Sequence, residues 1–320
     1  MIKGKAMLTI FTCPKSFSGH TGIIQRNAIR SWTLLRPSPE IILIGDDKGT
    51  DIAAREYGIR CFKDVRKNKQ GTPLISSIFQ LAQSLANKPI LCYVNADIIM
   101  MNDLSMAVER VLANGMDSFL LVGRRRTVDI RETMTFEDRW EKALRCGINK
   151  NKMTLGNPAA IDYMVFPKGL FKNIPDFAVG RPRWDNWMLW YAANSNVPII
   201  DCTGSLFAVH QNHDYSHLGQ NGVRLAQSAN PEQVTNENLI GQWWPLRLYT
   251  IWDADYILTA DGLSKATAIR KTYCRARRIA DCAAVALKKY VPFSRPLYVC
   301  GKWVKNLLDH LCRAAIDRTT

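Results

Sequence analysis

The sequence has no apolar run approaching the roughly 20 residues that cross a bilayer as a helix, and no C-x-x-C pair among its nine cysteines. It also lacks a G-x-G-x-x-G after its first apolar run, and a G-x-x-x-x-G-K-[ST] anywhere. Together these absences leave no helical membrane span, no zinc ribbon, no nicotinamide-dinucleotide fingerprint and no P-loop to expect. The cysteines, at 13, 61, 92, 146, 202, 274, 282, 300 and 312, are odd in number and unpatterned. That usage fits reduced thiols in a cytoplasmic chain rather than a disulfide framework. Ala6 to Cys13 is short and has no cleavage-like tail, so a strand is expected there rather than a secretory leader.

What is present is enough apolar material for a large core, 47% of 320 residues, and a strongly uneven charge. Of the net +15, residues 264–320 carry +10, from thirteen Lys or Arg against three Asp. A basic excess confined to one segment belongs to that segment's partner rather than to the chemistry of the rest. The expected division is a domain over 1–263 and a basic amphipathic helical tail over 264–320. No module that interleaves aromatic and basic residues is evident, so nucleic acid is not an expected partner.

Apolar runs alternate with helical patterns through the first half. Strands are expected at Leu8–Thr12, Ile41–Ile44, Ile59–Phe62, Leu91–Val94 and Phe119–Val122. Helices are expected between them, over Ile23–Leu35, Gly49–Tyr57, Pro73–Leu85 and Leu104–Leu112. Such alternation implies a doubly wound, largely parallel sheet. Pro14-Lys15, Asp46-Asp47, Asn95-Ala96-Asp97 and Arg124-Arg125-Arg126 then all follow strand ends and share one edge, where open α/β sheets bind ligands. Asn95 and Asp97 at the end of the most apolar strand offer oxygen ligands for Mg²⁺ or Mn²⁺ against a diphosphate. Each group also has a plainer reading, as a turn or a solvated loop. Thr127 to Asn157 reads as an amphipathic insert on Phe136, Trp140 and Leu144. Trp184 to Tyr191 reads as a helix apolar almost all round, with Asp185 in its first turn as cap or as catalytic carboxylate. His210, His213 and His217 crowd the end of another apolar run, favouring ligand or substrate contact.

The strings TGIIQRNAIRSW, EIILIGDD, YVNADII, IDYMVFPKGLF, AVGRPRWDNWM and AVHQNHDYSH, in that order, resemble a group of mostly uncharacterised bacterial GT-A fold glycosyltransferases, over about residues 7–260. The resemblance implies a nucleotide-diphospho-sugar transferase fold: a doubly wound, mixed, mostly parallel sheet, with the basic helical tail as an appendage. It implies a D-x-D metal motif, written here Asn95-Ala96-Asp97, with His210 completing the site. Asp46 or Asp47 would contact base or ribose, and Asn68, Gly71 and Thr72 would border the donor with Pro14 and Lys15. Arg124 or Arg125 would assist at the leaving diphosphate or hold an anionic acceptor. On the acceptor side stand Asp162, Tyr163, Trp184 and Asn186, with Asp185 matching the carboxylate that opens the acceptor-side helix and serves as general base.

The implied reaction moves a sugar from a nucleotide-diphosphate donor to an acceptor hydroxyl, hexosyltransferase-like and assisted by a divalent metal (Mn²⁺ or Mg²⁺). A sugar-phosphate nucleotidyltransferase and a non-catalytic nucleotide-sugar binding protein are the alternatives, and both would use the same sheet edge. The acceptor is expected to be a glycan or a lipid-linked glycan. The tail, with basic residues set among apolar groups, either packs on the domain or lies on an anionic membrane, peripheral on its inner face.

Overall fold

In a computed structural model the described residues are 8–147, 153–213 and 230–290. The chain runs through β1 (Leu8–Thr12), α1 (Gly19–Thr33), β2 (Glu40–Ile44), α2 (Thr50–Tyr57), β3 (Arg60–Phe62), α3 (Ile75–Leu85), β4 (Ile90–Val94), β5 (Ile98–Ile99) and α4 (Asp103–Ala113). It continues through β6 (Leu120–Val122), β7 (Arg126–Val128), α5 (Trp140–Gly147), β8 (Thr154–Leu155), β9 (Tyr163–Pro167), α6 (Trp184–Asn194), β10 (Ile199–Asp201) and β11 (Val209–Gln211). After these come α7 (Pro231–Ile240), β12 (Tyr256–Thr259), β13 (Gly262–Lys265) and α8 (Ala268–Tyr290).

Nine strands form one sheet in the order β13-β12-β10-β6-β9-β4-β1-β2-β3. Only β9 and β13 run against the others, so the sheet is mixed and mostly parallel as expected. β1 and β4 are buried at every residue, because helices cover both faces. Alternate side chains feed two cores. Phe11, Tyr93, Met164 and Phe166 face α3 and α6. Ile10, Cys92, Val94, Tyr163 and Val165 face α1 and α4. The first core is largely aromatic, with Phe79 stacked on Tyr93 and on Phe166 at 5.4 and 5.7 Å between centroids.

A second sheet, β5-β11-β7-β8, stands beyond the end of the first. Its strands are two or three residues long, too short to register as periodic signals, and the sequence pattern did not mark them. β7 falls in the expected Arg run and β8 in the expected irregular insert. Trp140 and Leu144 of α5 pack against Ile99, Met101 and Val209 of this sheet, which gives the insert its apolar stripe.

The helix expected from Pro73 begins at Ile75, because Pro73 is occupied in a bridge to Lys67. The expected domain boundary at 263 falls inside β13, which pairs with β12 through Lys265. Beyond it α8 joins the core: the Arg270 side chain is wholly buried and donates to Asp201 Oδ2 at 2.6 Å and to the carbonyls of Trp252 and Ile251 at 2.8 and 2.7 Å. Tail residues 291–320 lie outside the described residues.

Candidate active site

β4 leaves the sheet at Val94, and three residues later the chain enters β5, which pairs antiparallel with β11. The register sets His210 opposite Ile98, one residue past Asp97, and the Gln211 N–H donates to the Asp97 carbonyl at 3.3 Å. His210 Nε2 thus lies 3.5 Å from Asp97 Oδ2, and His213 Nε2 lies 2.9 Å from the same oxygen. Ligand atoms of the three residues all fall within 4.8 Å of one another. Burial pushes the Asp97 carboxyl up, but the hydrogen bonds and charge of His210 and His213 prevail and hold it well below the usual carboxylate range.

These residues fit a divalent ion. Donors about 2.1 Å from a shared metal stand about 3.0 to 3.4 Å apart in octahedral or tetrahedral arrangements, near the separations observed. Asp97 Oδ1 is buried with no hydrogen-bond partner among the described residues, a donor atom that an ion would satisfy. The sequence names Asp97 and His210 as the metal pair, and His213 stands among the three clustered histidines expected to make ligand or substrate contact. His217 lies outside the described residues.

Asn95 takes a different part from the one the D-x-D comparison implies. Its Nδ2 donates to Asp162 Oδ1 at 3.0 Å, and its Oδ1 accepts the Tyr93 hydroxyl at 3.0 Å. Asp162 also pairs with Arg125 Nη1 and is nearly buried. An aspartate at 95 would set two carboxylates against each other there, whereas the amide supplies a donor. Arg125, expected on the donor side, and Asp162, expected on the acceptor side, are thus paired with each other. Arg124 is also turned into the protein: its Nε donates to the Gly156 carbonyl at 2.7 Å, and the residue is 8% exposed. The Arg run is not solvated: Arg124 is buried, Arg125 and Arg126 are half-buried, and Arg126 opens β7 of the second sheet.

α6 opens at Arg183, whose φ of 89° is unusual for a residue with a side chain. Asp185 in the first turn accepts the N–H of Asn186 at 2.9 Å. Burial, with Asp162 adding to it, raises its carboxyl to about 6 against the opposing backbone hydrogen bonds. The Tyr93 hydroxyl lies in the field of Asp97, Asp162 and Asp185, so the three carboxylates gather around the end of β4.

The acceptor-side expectation for the neighbours of Asp185 is corrected. Tyr163 is wholly buried on the other face of the sheet, with its hydroxyl 3.5 Å from Cys202 Sγ, because strand alternation turns it toward α1 and α4. Trp184 is wedged edge-on against Tyr93 at 5.3 Å. Asn186 Nδ2 spends both hydrogens on the carbonyls of Ala159 and Tyr249, at 3.0 and 2.9 Å. Trp184 and Asn186 thereby fix the start of α6.

On the donor side, Pro14 is buried and Lys15 follows it, past the end of β1 and beside that of β4. Lys15 feels Asp97 and Arg181: burial lowers its pKa, Asp97 opposes this and Arg181 adds to it. Asp46 is exposed and held by Lys67, whose hydrogen bond lowers its pKa. Asp47 is exposed next to it. Asn68 makes a tight turn, its Oδ1 accepting the N–H groups of Gln70 and Thr72, with Gly71 at a φ of 82°. Its Nδ2 reaches Glu232 of α7 at 2.7 Å. Arg181 and Glu232 are not among the expected site residues, since nothing in the sequence brings residues 51 apart to one point.

No model of a known protein family matches the sequence, and no curated protein matches it. Solved structures do match. S. aureus TarS 1-349 in complex with UDP-GlcNAc is similar over 92% of this chain and 79% of its own, with 11% identity and a TM-score of 0.51. Another structure of TarS 1-349 is matched over 64% of this chain with 11% identity and a TM-score of 0.43, and this chain spans only 60% of it. Glucosyl-3-phosphoglycerate synthase from Mycobacterium tuberculosis, in complex with Mn²⁺, UDP and phosphoglyceric acid, is matched over 68% of this chain and 74% of its own, with 16% identity and a TM-score of 0.40. The chain has a GT-A glycosyltransferase fold, on the strength of the likeness at 0.51 and of its own mixed, mostly parallel sheet.

Proposed function

We propose that this chain is a metal-assisted glycosyltransferase that moves a sugar from a nucleoside-diphosphate donor to an acceptor hydroxyl. The observation that carries the reading is the gathering of Asp97, His210 and His213 at the end of β4, with Asp185, a carboxyl at about 6, close by. A transferase of this kind needs a site for the diphosphate and a base for the incoming hydroxyl, and the two groups supply these separately. Asp97, His210 and His213 would hold the ion. Two imidazoles with one carboxylate suit Mn²⁺ better than Mg²⁺, which prefers an all-oxygen shell. When bound, the ion would offset charge developing on the departing diphosphate.

Asp185 takes the proton of the acceptor hydroxyl as that oxygen bonds to the anomeric carbon. The bond from that carbon to the diphosphate oxygen breaks, and the pair of electrons leaves with the nucleotide. A pKa near 6 leaves the carboxylate charged at neutral pH yet a better base than an ordinary aspartate. Burial is what chiefly raises Asp185, and Asp162, braced by Arg125 and Asn95, adds to it. We place the donor along Lys15, Asp46, Asp47 and the Asn68–Thr72 turn.

The lipid surface belongs to the same proposal, with a lipid-linked or membrane-borne glycan as acceptor. The outward face of α8 exposes Ile269, Arg275 and Ile279, the mixture that binds anionic headgroups. Among the described residues no helix is long and apolar enough to cross a membrane.

The test is a screen for hydrolysis and transfer with UDP-glucose, UDP-GlcNAc and other nucleotide sugars, with and without Mn²⁺. Manganese-dependent release of nucleoside diphosphate is expected. Release of pyrophosphate from a nucleoside triphosphate with sugar phosphate would make the chain a nucleotidyltransferase. Donor-induced stabilisation without turnover would make it a binding protein.

A further inference from the structure

The loop that leads into α6 and the turn that follows β3 are fastened together. The Ile75 N–H donates to the Phe177 carbonyl at 2.9 Å, the Val179 N–H donates to the Pro73 carbonyl at 3.0 Å, and Leu74 bridges to Ala178. α7 closes over this pair of segments. Asn236, wholly buried, accepts the Ala178 N–H at 2.9 Å and donates to the carbonyls of Ala178 and Pro182 at 3.3 Å each. Arg183 Nε reaches Glu237 at 3.2 Å.

At the centre is Glu232, in the first turn of α7 and 7% exposed. One carboxylate oxygen accepts Asn68 Nδ2 at 2.7 Å, and the other accepts Arg181 Nε at 2.7 Å and Nη2 at 2.6 Å. Two of the five guanidinium donors are thus spent on orientation, and Nη1 is met only by the adjacent Gly180 carbonyl at 3.4 Å. A surface arginine has no need of such a mount. The mount stands where Trp184, three residues on, packs against Tyr93 and so ties the loop to the end of β4. Lys15 arrives at that end from the neighbouring strand β1, within the field of both Asp97 and Arg181.

We propose that Arg181, aimed by Glu232, forms with Lys15 the cationic seat for the donor's diphosphate, so that α7 is a brace felt in donor binding. The inference rests on the glycosyltransferase reading for its ligand. Fixed guanidinium and ammonium groups are the chemistry that phosphate oxygens select, the first for its planar fork and the second as a point charge. Glu232 is a positioning residue and Arg181 a binding one.

The experiment is calorimetric titration of the full chain with inorganic pyrophosphate in metal-free buffer, which isolates the cationic seat from the ion site. Wild type is expected to bind, and Arg181→Gln to bind at least tenfold more weakly. Glu232→Gln gives a test of sign. Removing a negative charge beside the seat would tighten an anion if only net charge mattered, whereas loss of the mount weakens it. The double variant Arg181→Gln/Glu232→Gln leaves no buried charge unpaired and the net charge unchanged, so it should melt like wild type and still fail to bind. Absence of pyrophosphate binding by wild type, wild-type affinity in the double variant, or tighter binding by Glu232→Gln would overturn the assignment. If Glu232→Gln does not fold, the double variant decides. Failure of every nucleotide sugar to turn over, with Arg181-dependent pyrophosphate binding intact, would sink the wider reading and leave this seat standing.

Discussion

Asp97→Asn keeps the size of the side chain and removes the charge that would bind an ion between His210 and His213. Wild-type protein should gain melting temperature on adding Mn²⁺, since a ligand of the native state stabilises by mass action. The variant should gain nothing, with unchanged circular dichroism. An equal shift in both would place the ion elsewhere. Asp185→Asn makes a separate prediction, because its effect depends on pH. A base with a pKa of about 6 gives a turnover that rises through pH 6 and levels off above it. The amide should cost at least the roughly 100-fold typical of a lost general base, and should flatten that limb. Stability moves the other way. The native-state pKa lies above the unfolded one, so the contribution of Asp185 is full below the ordinary aspartate value and is lost as pH rises through about 6. Asp185→Asn should therefore melt higher than wild type at pH 8, by a smaller margin at pH 5, and about equal only below the ordinary aspartate value. A variant that is no more stable at pH 8 would show that the carboxylate is not desolvated.

The long elements were legible from sequence because their signals are periodic. Ile24, Ala28 and Trp32 mark α1 at helical spacing, and all three are buried. β4 is a continuous apolar run and β1 differs from one only by Thr9 and Thr12, as suits parallel strands covered on both faces. The second sheet was illegible for the same reason: Ile98-Ile99 and Thr154-Leu155 have no period to read. Yet that sheet makes the site, since β11 carries His210 to Asp97. String similarity cannot separate neighbours that alternation sends to opposite faces: Asp162 lies beside Asn95 and Asp185 while Tyr163, next to it, is core. Gly123, between β6 and β7, shows how tightly the end of β6 packs against β9 and the turn after β10. A Cβ there would lie 2.2 Å from the Tyr163 hydroxyl and 3.1 Å from the Thr203 nitrogen. Gly123→Ala should be destabilised by about 1 to 3 kcal/mol, as overpacked cores are, in urea denaturation. Adding Tyr163→Phe removes the clashing oxygen and should restore part of the loss. Tyr163→Phe alone should leave acceptor kinetics unchanged; a raised acceptor KM would return Tyr163 to the site.

α8 cannot be detached from the molecule without consequence. Arg270 neutralises Asp201, and both are buried; Arg277 and Arg278 engage Asp253, whose side chain is 3% exposed. A chain ending at Leu263 loses all three arginines and leaves two carboxylates in the core. Breaking one buried pair from one side costs about 3–5 kcal/mol, against about 5–15 kcal/mol for a whole domain. The truncated chain is expected to be insoluble or to melt far below the full one. A membrane test by truncation would then report unfolding rather than binding, so the tail must be altered on its outward face with its inward arginines kept. Ile269→Gln/Arg275→Gln/Ile279→Gln in the full chain meets that condition, because all three positions are exposed. Each basic residue near an anionic bilayer contributes about 1 kcal/mol before screening. Wild type should sediment with phosphatidylglycerol vesicles at low salt, be released as salt shortens the Debye length, and ignore phosphatidylcholine vesicles. The triple variant should melt normally and stay largely in the supernatant. Wild type remaining in the supernatant at low salt would end the lipid proposal, and a triple variant that sediments like wild type would remove this face of α8 from it.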